Sequence, residues 1–384
     1  MDRSVSVLGI GQTRVANHEG CSLRSLASEA SRAALADAGL RGVDAIFVGN
    51  MLSNQTTGQS HLGPLVSSAI GNGVESVAVN AACGSGGAAV RQAYLAVASG
   101  ACEAALAVGV EKMSGLPKEE LVRALASAAD FQREVVNDAS FAALNALLMQ
   151  RYLYEYNAMR LDFFVFAEVA HQNALSNPNA RLRGGCSLDQ YLSSRMVADP
   201  IGVYDASPIA DGAAAVVLTD SRLAAEKDKR IDLVGSACAT DTLSLQERAD
   251  PLWLSAVEES AHAALDQAGL MHGDVDLFEV HDAFTIMAAL CLESSGFTPR
   301  GTATTFAREQ GIHLGGALPI STLGGLKARG HPVGASGAYQ VVEATLQLRG
   351  EAGPNQVPDA SVAMTQSIGG SGATAVTHVL RRMA

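Results

Sequence analysis

The chain has 384 residues, 48% of them hydrophobic and 17% charged, enough to bury a large core and too many for one ordinary domain, so roughly two or three are expected. A formal charge of −12 and an aromatic content of 5% argue against a nucleic-acid surface, which needs basic stripes and stacking platforms. The six cysteines, at positions 21, 83, 102, 186, 238 and 291, form no Cys-x-x-Cys pair and no metal-ligand spacing, which points to a reducing compartment and no metal site.

Val5 to Ile10 reads as a strand so near the start that no export signal is expected before it, and no apolar stretch is long enough to span a bilayer. A cytoplasmic protein that touches neither membrane nor nucleic acid is the expectation. A helix from about Leu23 ends in Ala33-Ala34-Leu35-Ala36-Asp37-Ala38-Gly39-Leu40, with Gly39 as its stop, and the strand Val43 to Val48 follows.

Val77 to Val79 then runs into Asn80-Ala81-Ala82-Cys83-Gly84-Ser85-Gly86-Gly87 and a small-residue helix from about Ala88 to Ala98. A thiol at a strand-to-helix junction meets free helix N–H groups and the positive end of the dipole. Its pKa is therefore expected to fall, and Cys83 to be alkylated ahead of the other five cysteines. Taken alone, the segment fits a small buried cysteine on a tight turn equally well.

From Leu116 to about Ser194 the alternation of strand and helix stops and helical periodicity takes over, as in Glu119 to Leu125 and Phe164 to Leu175. Aromatics gather here, among them Phe131, Phe141, Tyr152, Phe163 and Phe166, and are read as this segment's own core. Arg133, Arg151, Arg181 and Arg183 read first as solvated surface charge. The chain returns through Asp205-Ala206-Ser207-Pro208 into an apolar run at Ala213 to Val217.

A second copy of the opening pattern follows. Strand Ile231 to Gly235 leads to a helix ending Ala263-Ala264-Leu265-Asp266-Gln267-Ala268-Gly269-Leu270, then to strand Val275 to Val280. Duplicated strand–helix alternation implies mostly parallel sheets covered by helices on both faces. His281-Asp282-Ala283-Phe284 stands at the carboxyl end of the second copy's strand, where open α/β sheets place their sites. His331 lies in Gly330-His331-Pro332-Val333-Gly334-Ala335-Ser336-Gly337, before another helix-like run. A glycine-rich turn, Gln366-Ser367-Ile368-Gly369-Gly370-Ser371-Gly372, follows the strand at Ser361 to Met364 and offers free backbone N–H groups. Two histidines and a cysteine at element junctions, at the interface of facing halves, argue for a site over three unrelated core residues.

These four segments, in this order, resemble the thiolase superfamily over essentially the whole chain. They are similar to its nucleophile loop, to its Asn-Glu-Ala-Phe box with His-Asp in place of Asn-Glu, to its Gly-His-Pro box, and to its Cys-x-Gly-x-Gly box with Ser367 in place of the cysteine. His-Asp-Ala-Phe without a second cysteine is most similar to the archaeal-type acetoacetyl-CoA thiolases of the mevalonate pathway. The resemblance implies an α/β fold of duplicated βαβαβ halves in a five-layered core, with a mainly helical loop domain inserted in the first half. It divides the chain into residues 1–115 and 196–228, the inserted domain 116–195, and residues 229–384.

It also implies condensation of two acetyl-CoA to acetoacetyl-CoA and CoA through an acetyl-cysteine. Cys83 would be the nucleophile, His331 its base, His281 a second donor or the α-proton base, and Cys83 and Gly369 N–H the oxyanion hole. Ser207 would contact the pantetheine of coenzyme A, whose thioesters are substrates; no tightly bound cofactor is implied. A homodimer or tetramer, assembled with hydroxymethylglutaryl-CoA synthase through a zinc-ribbon and OB-fold bridging protein, is the implied company. Two other readings stay open: acetyl transfer to a non-CoA carbon nucleophile, for which the missing cysteine is harmless, and a non-catalytic scaffold subunit, which has no need of Cys83, His281 and His331.

Overall fold

The computed structural model describes residues 3–137, 139–225 and 230–383, so the expected boundary between residues 228 and 229 lies outside the described residues. Eleven strands are described. They are β1 (Val5–Gln12), β2 (Ala45–Gly49), β3 (Glu75–Val79), β4 (Ala104–Glu111), β5 (Met196–Ala198), β6 (Ile201–Gly202), β7 (Gly212–Asp220), β8 (Ile231–Thr240), β9 (Leu277–Glu279), β10 (Val362–Gly369) and β11 (Thr374–Arg382). The helices that matter below are α1 (Leu23–Ala38), α2 (Lys118–Ala126), α3 (Phe141–Glu155), α4 (Phe164–Ala174), α5 (Leu188–Ser193), α6 (Ser255–Ala268) and α7 (Thr285–Ser294). Two more, αN (Ser85–Ala98) and αC (Ser336–Arg349), form the centre of the molecule.

Nine strands hydrogen-bond in the order β3-β2-β4-β7-β1-β8-β11-β10-β9. The order divides into two equivalent halves: β3-β2-β4-β7-β1 matches β9-β10-β11-β8 read from the opposite edge, with a lone bridge at Ile320 standing where the second half lacks a full edge strand. The halves join through two antiparallel register pairs, Ser6 with Asp232 and Val7 with Ile231. Helix α1 covers the outer face of the first half and α6 that of the second, while αN and αC pack against each other between them. That arrangement is the expected five layers.

Side chains repeat along with the strands. Asp44 accepts the N–H groups of Glu103 and Ala104 at the start of β4, and Asp276 accepts those of Ser361 and Val362 at the start of β10. A Cβ on Gly9 would strike the Ala34 carbonyl of α1, and one on Gly235 the Ala264 carbonyl of α6. Glycine is required at both places because the strand lies directly on the helix backbone. Gly39 and Gly269 end the two helices in the left-handed region, at φ 72° and 64°.

The expectation of mostly parallel sheets is corrected. Among the described strands only β2–β3, β2–β4 and β9–β10 pair in parallel; β4–β7, β7–β1, β1–β8, β8–β11 and β10–β11 are antiparallel. Four residues, 370–373, link β10 to β11, too few for a crossover, so that pair must form a hairpin.

The helical segment between β4 and β7 does not keep a core of its own. Tyr152, Phe163 and Phe166 share one apolar cluster with Ile286, Met287 and Leu290 of α7. Tyr152 also donates to Glu293 Oε1 at 2.6 Å. This part of the segment is thus seated on the second half, while Leu121 and Ala124 of α2 pack with Met51 and Leu52 after β2. Among the described residues no helix is long and apolar enough to cross a membrane.

Candidate active site

Cys83 sits in the loop between β3 and αN. Ala82 before it takes φ 51°, and Ser85 ties the loop: its hydroxyl accepts the Ala81 N–H at 2.9 Å and donates to the Ala82 carbonyl at 2.5 Å. The Gly84 and Ser85 N–H groups bond the carbonyls of Ala81 and Ala82. These donors, expected to face the thiol, are spent on the loop itself.

The thiol is accordingly not activated at rest. Burial, and secondarily the nearby Glu111 carboxylate, push its pKa up to about 12, against the pull of the N–H groups of Cys83 and Gly370. This overturns the expected fall. The cysteine is half-buried and has an apolar neighbour in Met51, whose Sδ lies 3.7 Å from the sulfur.

Glu111, fully buried at the end of β4, organises the loops around the sulfur. It accepts from Asn50 Nδ2 at 2.8 Å, Met51 N at 2.9 Å, Leu52 N at 3.2 Å and Gly334 N at 3.0 Å. One carboxylate thereby ties the loop after β2 to the loop that carries His331. Burial raises its pKa to about 7.

His281 and His331 stand edge to face, ring centroids 5.4 Å apart, and both are buried. The Ile368 N–H donates to His281 Nδ1 at 3.2 Å, so the neutral ring carries its proton on Nε2 and presents a donor. Burial, with a contribution from Arg329, lowers its pKa to about 3. His331 Nδ1 lies 2.7 Å from Ser336 Oγ, which reaches the Pro332 carbonyl at 3.3 Å. A chain running from Nδ1–H to Oγ and from Oγ–H to the carbonyl satisfies both contacts and leaves the His331 Nε2 lone pair free. Burial, then His281, then Arg329 hold His331 well below the ordinary histidine range.

Asp282 is a structural partner. It accepts from Leu326 N at 2.6 Å and Ser321 Oγ at 2.9 Å, fixing the segment Gly325–Arg329 that leads to His331.

Cys83, His281, His331 and Gly370 line one cavity of about 120 Å³, whose walls are largely apolar: Met113, Leu125, Phe141, Phe284 and Met287. Ser207 lines it too, held by its N–H to the Ala283 carbonyl at 2.9 Å. Ser207, Pro208 and Ile209 also line an adjoining surface cavity with Arg181, Arg183 and Arg195. Arg133 and Arg151 lie elsewhere and are paired, with Asp130 and Glu247 and with Glu155.

Two expectations shift. Gly369 ends β10 and its carbonyl accepts the Ala373 N–H, whereas the N–H that faces the thiol belongs to Gly370. Ser367 does not line the cavity: its hydroxyl is buried, unpaired among the described residues, and turned toward Gly87 and Gly337 where αN and αC cross. Sequence reasoning missed Glu111 and Gly370. The strand repeat places Glu111 opposite Gly369: each stands seven residues beyond the residue, Ala104 or Val362, whose N–H Asp44 or Asp276 accepts.

Comparisons agree with the geometry. Residues 5–222 match the family described as Thiolase, N-terminal domain, and residues 237–382 that described as Thiolase C-terminal domain-like. An acetyl-CoA acetyltransferase of Methanothermobacter thermautotrophicus is 39% identical over 99% of this chain and 100% of its own. One from Methanocaldococcus jannaschii is 36% identical over 98% and 99%. Among solved structures, an Ltp2-ChsH2(DUF35) aldolase superposes with a TM-score of 0.87 at 24% identity, covering 99% of this chain and 98% of that one, a likeness of fold.

Proposed function

The chain belongs to the thiolase family and is an acyltransferase, and from that premise we propose that it condenses two acetyl-CoA into acetoacetyl-CoA and CoA through acetyl-Cys83. The observation that carries this reading is the single cavity shared by Cys83, His281, His331 and Gly370. His331 Nε2 takes the proton of the Cys83 thiol as sulfur attacks the thioester carbonyl. The N–H groups of Cys83 and Gly370 hold the oxyanion, and CoA departs with the proton from His331. A thiol with pKa about 12 needs such a base at the moment of attack.

In the second half-reaction a new acetyl-CoA enters and loses an α-proton. His281 Nδ1 is occupied by the Ile368 N–H, so His281 serves as the donor to the enolate oxygen through Nε2–H. His331, whose lone pair is free once CoA has left, is the base. Attack of the enolate on acetyl-Cys83 forms the carbon–carbon bond, expels the thiolate, and returns the proton from His331 to sulfur. Neither step uses Ser367.

Ser207 is the pantetheine contact, and Arg181, Arg183 and Arg195 meet the phosphates of CoA in the adjoining cavity. Because condensation is uphill, the product needs a consumer, and a hydroxymethylglutaryl-CoA synthase held through a zinc-ribbon and OB-fold protein in the cytoplasm fits that need. A homodimer is supported by the sheet edge at β3, whose strand is largely exposed, with Val77 at 43%. Native mass of the endogenous protein tests both associations: a lone monomer excludes them.

Acetyl transfer to an activated non-CoA carbon is the second reading, favoured by the orientation of Ser367 away from the cavity. One assay separates the two. Purified protein with acetoacetyl-CoA and free CoA should yield acetyl-CoA, and Cys83→Ala should not; no cleavage by the unaltered protein rejects the thiolase reading.

A further inference from the structure

The start of αC packs directly on the helix that follows the thiol. A Cβ on Gly337 would stand 2.3 Å from the Gly87 nitrogen, and one on Gly86 would stand 2.8 Å from the Ala338 nitrogen. So close an approach indexes this turn of αC to the loop that carries Cys83. Ser336 and Gln340 lie one turn apart on αC, on one face, 0% and 1% exposed.

Ser336 holds His331 directly. Its Oγ lies 2.7 Å from Nδ1 and 3.3 Å from the Pro332 carbonyl, so it accepts the Nδ1 proton and leaves Nε2 with its lone pair. Gln340 holds the other ring at one remove. The parallel register of β9 with β10 ends at Glu279 and Thr365, so His281 and Ile368 stand beyond it. There Gln340 Nε2 donates among three carbonyls, those of Glu279 and Val280 at 3.0 Å and that of Gln366 at 2.9 Å. The flipped amide would set its oxygen against all three, which fixes its orientation. Val280 leads to His281 and Gln366 leads to Ile368, whose N–H meets His281 Nδ1 at 3.2 Å. That bond is at the long end of the range, and the Gln340 amide joins the two segments that make it.

We propose that Ser336 and Gln340 are positioning residues with separate tasks: Ser336 aims the His331 lone pair at the Cys83 thiol, and Gln340 places His281 to meet the enolate oxygen. The inference rests on His331 as base and His281 as donor. A misplacement of about 1 Å can cost roughly a hundredfold, so each substitution should slow the step that its own histidine serves.

Two donors acetylate Cys83 through different bonds. From acetyl-CoA, the Cys83 sulfur bonds to the carbonyl carbon and the bond to the CoA sulfur breaks. From acetoacetyl-CoA, it bonds to the ketone carbon and the carbon–carbon bond breaks; acetyl-CoA leaves as its enolate and takes the thiol's proton from His331. Only the second route makes an enolate. Single-turnover rates of acetyl-Cys83 formation, at saturating donor and without free CoA, are followed by intact mass in the unaltered protein, Ser336→Ala, Gln340→Met and Gln340→Asn. Ser336→Ala should slow both routes by about tenfold or more. Gln340→Met should stay within about threefold with acetyl-CoA and lose about tenfold or more with acetoacetyl-CoA. Only folded sites react, so these first-order rates do not depend on how much of the protein folds. Gln340→Asn, whose shorter amide does not reach the carbonyls, repeats the measurement should the methionine variant fail to fold. Equal slowing of both routes by the Gln340 variants, the mark of a merely structural helix, overturns the proposal. So does an unchanged rate in Ser336→Ala, or an unchanged rate with acetoacetyl-CoA in the Gln340 variants. His281→Ala controls the premise: if it too slows both routes alike, the donor role of His281 fails, whatever holds the ring.

Discussion

The two halves of this molecule open their central helices in the same way and use the result differently. αN and αC are each 14 residues long, and each begins with a serine that ties down the loop before it: Ser85 to Ala81 and Ala82, Ser336 to His331 and Pro332. At the next position along the sheets the halves part. β4 ends in Glu111, a buried acceptor that organises loops; β10 ends in Gly369, which has no side chain and leaves the following N–H of Gly370 facing the thiol. β2 ends in Gly49, and at the matching place, five residues from the repeated aspartate and just past β9, stands His281. The first half supplies the nucleophile and scaffolding, the second the imidazoles. Duplication built the frame, and divergence at a few loop positions provided the chemistry.

The comparison breaks most visibly at Glu111. Glu111→Ala leaves the N–H groups of Met51, Leu52 and Gly334 and the Asn50 amide without their acceptor, and should cost about 3 kcal/mol or more. Chemical denaturation checks this, and a loss under about 1 kcal/mol would show that the carboxylate is not the tie between the two loops. A gentler probe is the pair Gly9→Ala and Gly235→Ala. Each added Cβ meets a helix carbonyl, so each should destabilise by about 1–3 kcal/mol, and the two losses should agree within about 0.5 kcal/mol. Clearly unequal losses would mean that the halves are related in outline only.

The smallest effect concerns the resting thiol. With a pKa near 12, Cys83 should show an alkylation rate that keeps rising with pH beyond the ordinary thiol range. Labelled peptides counted across a pH series give the curve. A plateau near neutral pH would restore the helix-dipole picture that the loop hydrogen bonds contradict.

Much of this was legible in the sequence. The repeat around Gly39 and Gly269 depends on local spacing and glycine stops, and the junctions at Cys83, His281 and His331 stand at the ends of short apolar runs. The antiparallel pairings were not legible, because they follow from linker lengths and from a strand, β7, that returns after a long insertion. The direction of the thiol's shift could not be read either: it depends first on burial of the thiol by loops that only folding brings together, then on Glu111, 28 positions away in a strand that looks purely structural, and on which carbonyls take the helix N–H groups.

The central claim is that the two histidines of the second half have different tasks, His331 as base and His281 as donor. It is tested most directly by trapping acetyl-enzyme from acetyl-CoA in His331→Ala and His281→Ala and mapping the acetyl group by mass spectrometry. His331→Ala should slow acetylation of Cys83 roughly a hundredfold to ten-thousandfold. His281→Ala should acetylate within about tenfold of the unaltered protein while losing roughly a hundredfold or more in the carbon–carbon step. Equal loss of acetylation in both variants, or an acetyl group on any cysteine other than Cys83, would contradict it.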